Sequence, residues 1–405
     1  MALSTALSGI NAAQADLNVI ANNISNANTT GFKGSRAQFA DIFAVTGANL
    51  NSTATGSGTR LANVAQQFAQ GDVATTNNSL DMAISGNGFF AINDGTGVTY
   101  TRAGDFQKDP NSNIVTPGGA FLQVYPSNGA GGFDTSTLTN LQLTAAQSNA
   151  TPTSLVTMTS NLPASATVSA NPFSPADATS YQAATPVTVY DSQGGSHQGT
   201  VYYDKTATNS WNANLFVDGI SAGTQALTFD VNGNLTTPAN GDLTFAPVNL
   251  GNGSAPLALT VNAGNTTQFG TDYSPGTITQ NGYEAGTFSS IDIDSKGVVT
   301  ANYSNNQSTQ LGQIALANFP NLQGLRQLGN SSWAASGDSG VAVMGTAGAG
   351  QFGAIQSGAL EGSNTADTTS QLVNMIQAQR DYQANAQVLS TDSTLASALF
   401  NAVGR

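Results

Sequence analysis

Two stretches of this sequence read as long helices, and they lie at its ends. In residues 3–24, Leu3, Leu7, Ile10, Leu17, Ala21 and Ile24 recur at alternating spacings of four and three, with Gln14 in the one gap. In residues 372–403 the same rhythm runs through Met375, Gln379, Tyr382, Ala386, Leu389, Ala396, Phe400 and Val403, interrupted by Ser393. A heptad seam of this kind is buried by packing against another helix. Both stretches also carry apolar side chains off the seam: Ala6, Ala13 and Ile20 in the first, and Leu372, Ile376, Val388, Leu395 and Leu399 in the second. A helix apolar on more than one face needs more than one partner. A two-helix pair with Gln in its seam is moreover marginal alone. Copies of the same chain would cover what remains. An intramolecular coiled coil capping a β-rich body explains the periodicity equally well, and periodicity leaves both open.

Between the ends the pattern is that of β-sheet and turns, so the predicted class is mainly β with α-helical termini. Gly88–Asn93 reads as a strand ending at the turn Asp94-Gly95, with Val98–Arg102 returning from it. An acid followed by a Gly- or Asn-containing turn and apolar residues recurs at Asp109–Asn113, Asp230–Asn234 and Asp294–Val298. Such turns need a residue at positive φ, which Gly or Asn fills at low cost. Residues 146–282 form a separate unit with alternating strands and frequent turns, the spacing of a β-sandwich or barrel. The stretch 46–58 reads as a loop.

Composition limits function. The charged fraction is 8%, against roughly 25% in ordinary soluble proteins, so the surface must be mostly small neutral side chains. Acids and bases balance in residues 1–75, whereas residues 151–282 carry seven acids and one base. No basic patch exists to neutralise phosphates, which argues against a nucleic-acid partner. The sequence has no Cys, and no apolar run is long enough for membrane insertion. The first base is Lys33, so the N-terminus lacks the positive region of a cleaved signal peptide.

Motifs that suggest chemistry fail their context. Gly348–Gly353 matches G-x-G-x-x-G but sits in no repeating βαβ pattern. Gly219–Gly223 matches G-x-S-x-G, yet the only His, His197, precedes Ser221 and Asp218-Gly219 reads as a hairpin turn. His197 itself reads as an exposed loop residue. Asp230–Asn234 begins like a calcium loop but has Gly241 where the bidentate acid belongs. No catalytic constellation, cofactor site or metal site follows, and the expectation is a protein that is not an enzyme.

The sequence resembles the bacterial flagellar axial proteins, the rod and hook family. The resemblance rests on Leu3–Ile10, Leu17–Asn28, Thr30–Gly34, Phe68–Gly71, Leu80–Ile84, Gly86–Phe90 and Tyr100–Phe106 at the front. At the back it rests on Ile314–Asn321, Leu360-Glu361, Ser363-Asn364 and Met375–Asn385. It implies a subunit that self-assembles into the hook, a curved flexible tube that couples rod to filament and encloses an export channel. It also implies export by the flagellar apparatus without a cleaved signal, and a place in the extracellular hook. The implied partners are copies of the chain, the distal-rod, hook-cap and hook–filament junction proteins, and the export apparatus. The implied organisation is a helical domain of 1–27 with 365–405, a connector of 28–75, an inner β-domain of 76–145 with 283–364, and an inserted β-domain of 146–282. The expected subunit interface comprises Leu3, Leu7, Ile10, Leu17, Ile20 and Ile24, together with Leu372, Met375, Ile376, Tyr382, Leu389, Leu395 and Leu399. Phe39 and Phe43 resemble an export-gate recognition element, though two packed rings of a connector fit equally. A paralogous rod or hook-associated protein, or a secreted β-rich adhesin or glycan-binding module, are the alternatives. Two features depart from the family pattern: Asn113 stands where a Gly is usual, and Thr365–Thr369 leaves the start of the last helix open.

Overall fold

The structure is a computed structural model that describes residues 2–42, 56–129, 131–143 and 147–403. The chain divides into two compact units. The first comprises Met1–Thr144, Ile291–Ala301 and Thr309–Arg405; the second comprises Ala145–Ser290 with Asn302–Ser308.

In the first unit both terminal segments are helical: α1 spans Ala2–Ser25 and α2 spans Thr368–Val403. Asp367 settles the start of α2, because its carboxylate accepts the Thr369 and Ser370 amides at 3.1 and 3.3 Å. This is N-capping by a residue whose backbone lies outside the helix. After α1, strands Ser35–Asp41 and Thr59–Gln66 pair antiparallel, forming a ribbon within what the sequence suggested was only a connector; most of the loop read at 46–58 lies outside the described residues.

The β-core of this unit is built around Phe89–Asn93, the strand read from the sequence. It pairs antiparallel with Val98–Thr101, Phe121–Pro126 and Ser308–Asn318. Its near-continuous apolar run is explained by burial on both faces. Phe90 and Ile92 enter a core with Met82, Ile84, Phe106, Ile114, Leu122 and Leu316. Phe89 faces the other way, among Tyr100, Phe319, Leu325 and Trp333. Phe68, from the segment after the ribbon, packs on that second core with ring centroids 5.9 Å from both Phe89 and Trp333. Two short pairings join early and late chain: Met82–Ser85 with Ala354–Ser357, and Val73–Thr75 with Ala359–Glu361.

The second unit has two five-stranded sheets. One is an antiparallel meander of Ala183–Tyr190, Ser196–Ala207, Ser210–Val217, Ile220–Phe229 and Leu235–Thr237. The other is mixed and centred on Leu155–Pro163. Alternate residues of both, including Met158, Leu162, Val189, Tyr203, Trp211 and Leu215, share one core. Period-two burial from two sheets into one core is the physics of a sandwich.

The acid-turn repeat has a common geometry and a fourth member that the sequence reading missed. Asp109, Asp191, Asp230 and Asp294 each accept, on Oδ1, the amide four residues on, at 2.7–2.8 Å. The residue at positive φ is the third after the acid: Ser112, Gly194, Gly233 and Gly297. The strained position of the first turn is therefore Ser112 rather than Asn113, whose side chain instead donates to Asp109. The same bonds occupy Asp230 with its own backbone, which turns a resemblance to a calcium loop into a hairpin turn.

Gly104 supports the first core by its lack of a side chain. The Met82 amide donates to its carbonyl at 2.9 Å, and a Cβ at Gly104 would overlap the Met82 carbonyl oxygen. Gly104→Ala should destabilise this unit by about 1–3 kcal/mol, the range for forcing atoms into a packed core. Denaturant unfolding followed by Trp333 fluorescence measures this, and an unchanged midpoint would contradict the close approach.

Candidate assembly surface

The two helices run antiparallel. The Asn23 carbonyl near the end of α1 accepts the Thr365 hydroxyl just before α2, at 3.0 Å. Further along, a Cβ at Gly9 would meet the Asn385 side chain. The buried stripe of α1 is Ala6, Ala13 and Ile20, spaced by seven, with Asn23 also buried. These three are the residues that the sequence reading placed off the main seam. On α2 the least exposed positions are Gln371, Met375, Ala378, Asn385, Ala386, Leu389 and Asp392. Met375, Ala386 and Leu389 keep their expected places, while Gln379 and Ser393 give way to Ala378 and Asp392. Small side chains line the contact because they let the backbones approach. Asp16 lies in this helix pair, and burial, followed by the negative charge of Asp381, raises its carboxyl above the ordinary range.

Apart from Ile20, Met375 and Leu389, most of the large apolar side chains face outward. Leu3 and Leu7 are about half exposed, Ile10, Leu17 and Ile24 are half-buried, and Ile20 is buried. On α2, Leu372, Val373, Ile376, Tyr382 and Val388 are exposed. Leu395 and Leu399 are exposed at 64% and 67%. With 36 residues against 24, α2 outruns its partner. Gly9 opposite Asn385 puts the start of α1 near Asp392, so the last turns of α2 have no α1 beside them. The ribbon after α1 adds Phe39, Ile42, Leu61 and Val64 to the exposed apolar set. Phe43 lies outside the described residues. Exposed apolar area of this extent marks an interaction surface.

An ionic centre joins the helical end to the β-core. Glu361 is fully buried on the strand Ala359–Glu361, with Lys33 Nζ 2.5 Å from Oε1 and Arg102 Nε 3.1 Å from Oε2. The Gly71 amide donates to Oε1 at 3.0 Å. Lys33 also donates to the Ala69 carbonyl, and Arg102 to the carbonyls of Gly88 and Gly86. Two cations thus share one carboxylate, and backbone carbonyls take part of the extra charge. Burial pulls Lys33 below its ordinary pKa, opposed by Glu361; burial likewise lowers Arg102. Glu361 is one of only two Glu in the chain. Its scarcity, in a short alternating strand beside apolar residues, was the one sequence signal that could have found this centre.

The motifs set aside on sequence grounds have plain structural roles. Gly348–Gly353 is a turn between strands Val343–Thr346 and Ala354–Ser357, with no helix after it. Asp218-Gly219, both at positive φ, is the hairpin turn before Ser221. His197 departs from expectation: it is half-buried and bridges two carboxylates. Among the described residues no cluster of His, Cys, Asp and Glu has the arrangement of a metal site, and no helix is long and apolar enough to cross a membrane.

Comparison with known proteins agrees along the whole chain. Residues 3–33 match the flagella basal body rod protein family and 83–160 the flagellar hook protein FlgE/F/G D1 domain. Residues 161–283 match the flagellar basal body protein FlaE D2 domain, and 356–402 the flagellar basal body rod FlgEFG protein C-terminal family. The flagellar hook protein FlgE of Escherichia coli K12 is 40% identical, covering 99% of this chain and all of its own. That of Rhizobium meliloti is 33% identical over 98% of both chains, and that of Borreliella burgdorferi 30% over 97% of both. The crystal structure of Helicobacter pylori flagellar hook protein FlgE2 shares the fold, with a TM-score of 0.51 at 14% identity. The match covers 70% of this chain and 99% of that one.

Glu361→Gln would leave Lys33 and Arg102 buried without a full counter-charge. Breaking a buried ionic group by removing one partner costs about 3–5 kcal/mol. With Trp211→Phe leaving Trp333 as the sole Trp, urea unfolding should show that loss, and an unchanged midpoint would refute the role given to Glu361.

Proposed function

The chain belongs to the flagellar hook protein FlgE family, and we propose that it is the subunit that polymerises into the hook, a flexible tube coupling rod to filament. The observation that carries this reading is the helix pair in which Ala6, Ala13 and Ile20 are buried while Leu3, Leu7, Leu372, Val373, Ile376, Val388, Leu395 and Leu399 are exposed. Such a pair is complete only when neighbouring copies cover its outer face. The interface we assign comprises Leu3, Leu7, Ile10, Leu17, Ile20 and Ile24 of α1 with Leu372, Met375, Ile376, Tyr382, Leu389, Leu395 and Leu399 of α2. Ile20 contributes from within the pair. Residues 1–27 with 365–405 would line the tube and 28–75 connect them to β-domains of 76–145 with 283–364 and of 146–282. Distal-rod, hook-cap and junction proteins would meet the ends of the polymer. The export apparatus would pass the chain without a cleaved signal, with Phe39, which is exposed, and Phe43 four residues on in sequence presented to its gate. We assign no catalytic role to any residue.

The low charged fraction, 8%, suits a tube that bends. Contacts between small neutral side chains lose little when they slide, because few specific ion pairs must break.

Two measurements test this reading. Leu395→Asp with Leu399→Asp lies on the exposed end of α2, so circular dichroism and thermal unfolding of the monomer should be unchanged while polymerisation is abolished. Tubes formed by this variant would sink the interface. Electron microscopy of cells lacking the gene should show rods without hooks; loss of the distal rod would instead assign the chain to the rod.

A further inference from the structure

His197 stands at the start of the strand Ser196–Ala207 and touches two turns at once. Its Nδ1 lies 2.6 Å from Asp218 Oδ2, in the hairpin turn between Ser210–Val217 and Ile220–Phe229. Its Nε2 lies 3.1 Å from Asp191 Oδ2, in the turn that follows Ala183–Tyr190. Asp191 is buried and is already the acceptor for the amides of Gln193 and Gly195 and the side-chain amide of Asn252. Asp218 also accepts the Gln198 amide at 2.9 Å. Asp191 and Asp218 are the charged groups facing the imidazole; the neighbouring Ser196, Gln198 and Asn252 are neutral.

An imidazole placed between two carboxylates can satisfy both only when it carries two protons. As imidazolium, both ring nitrogens donate. As the neutral ring, one nitrogen becomes an acceptor and turns its lone pair toward a carboxylate oxygen. Loss of one proton therefore converts an attractive contact into a repulsive one at fixed geometry. We propose that Asp191, His197 and Asp218 form a proton-operated clamp, which ties two turns of the second unit together when the imidazole is charged and releases them when it is neutral.

The titration of the three groups points the same way. Hydrogen bonding to Asp218, opposed by burial and helped by Asp191, raises His197 above 6.5. The bond from His197 and that from Gln198 lower Asp218. Burial opposes ionisation of Asp191, but bonds from His197, Asn252, Gly195 and Gln193 outweigh it and hold its carboxyl well below the carboxylate range. A His with a raised folded pKa contributes stability that is complete below about 6.5, its unfolded value, and is lost as pH rises through the folded one. The depressed Asp pair contributes above the unfolded Asp value and loses its contribution in acid. The clamp is thus closed in mildly acidic solution and opens on the alkaline side.

The chain has one His, so its imidazole resonance in NMR of the full-length monomer is unambiguous. The expected titration midpoint lies above 6.5 and falls toward that value in Asp218→Asn. Hydrogen-exchange protection factors of the Gln193, Gly195 and Gln198 amides should drop as pH rises through the midpoint, and the drop should be absent in His197→Gln. A midpoint at or below 6.5, or protection that ignores pH in the native chain, would overturn the clamp. Asp218→Asn removes a half-exposed group, so an unchanged midpoint in that variant overturns it as well.

Discussion

The first unit depends on a single buried carboxylate. Glu361 is 328 residues from Lys33 in sequence and bonded to it in space. It binds the chain just after α1, the chain just before α2 and the β-core strand that ends near Arg102. Placing three charges out of water costs several kcal/mol per ion. The arrangement is tolerable because the remaining donors have carbonyl partners at Ala69, Gly86 and Gly88. A buried ionic group adds little net stability compared with an apolar isostere, but removing one member is severe. Its consequence here is geometric: with Gly31 donating to the Glu361 carbonyl, both helices leave the core from one fixed point.

The sequence made the existence of both helices legible, because their heptads are long and uninterrupted by Gly or Pro over most of their length. The alternation that marked residues 146–282 as β-rich is matched by period-two burial in Leu155–Pro163 and Ala183–Tyr190. The phase of the helix contact was not legible. Periodicity weighs Leu above Ala, so it selected the Leu stripe as the seam, whereas close packing selected Ala6 and Ala13. Nor could pattern reveal the ribbon of Ser35–Asp41 and Thr59–Gln66, whose partners are separated by a stretch rich in Gly, Ser, Thr and Asn. Glu361 and His197 escaped for a common reason. Each acquires its role from partners that are distant in sequence or sit in separate turns, and single-residue context carries no trace of them.

The acid turns explain how a chain with few bases carries its acids. Asp109, Asp191, Asp230 and Asp294 each direct an oxygen at amides of their own turn. A carboxylate used in this way stabilises the positive-φ turn and leaves fewer free acceptors for salt bridges between surfaces. Net charge of −13 therefore coexists with β surfaces that offer few specific ionic contacts. Sequence showed the acid and the Gly or Asn but misplaced the strained residue of the first turn, since type preference alone favours Asn113 over Ser112.

The helix pair inverts the usual economy of a coiled coil. An isolated pair gains most by placing Leu and Ile in its seam and leaving Ala and Gly outside. Here Ala6 and Ala13 are buried and Gly9 abuts Asn385, while Leu3, Leu7, Leu372, Ile376, Leu395 and Leu399 face outward. The contact within one chain therefore buries little apolar area for its length, and at about 25 cal/mol per Å² it gains little. The larger gain lies on the outer face and requires another surface of equal apolarity. Ala and Gly at the intrachain contact bring the two helices close and present their Leu and Ile stripes together as one face. A stronger intrachain seam would compete for those same Leu residues. In the proposed tube, weak packing within the chain would be the condition for strong packing between chains.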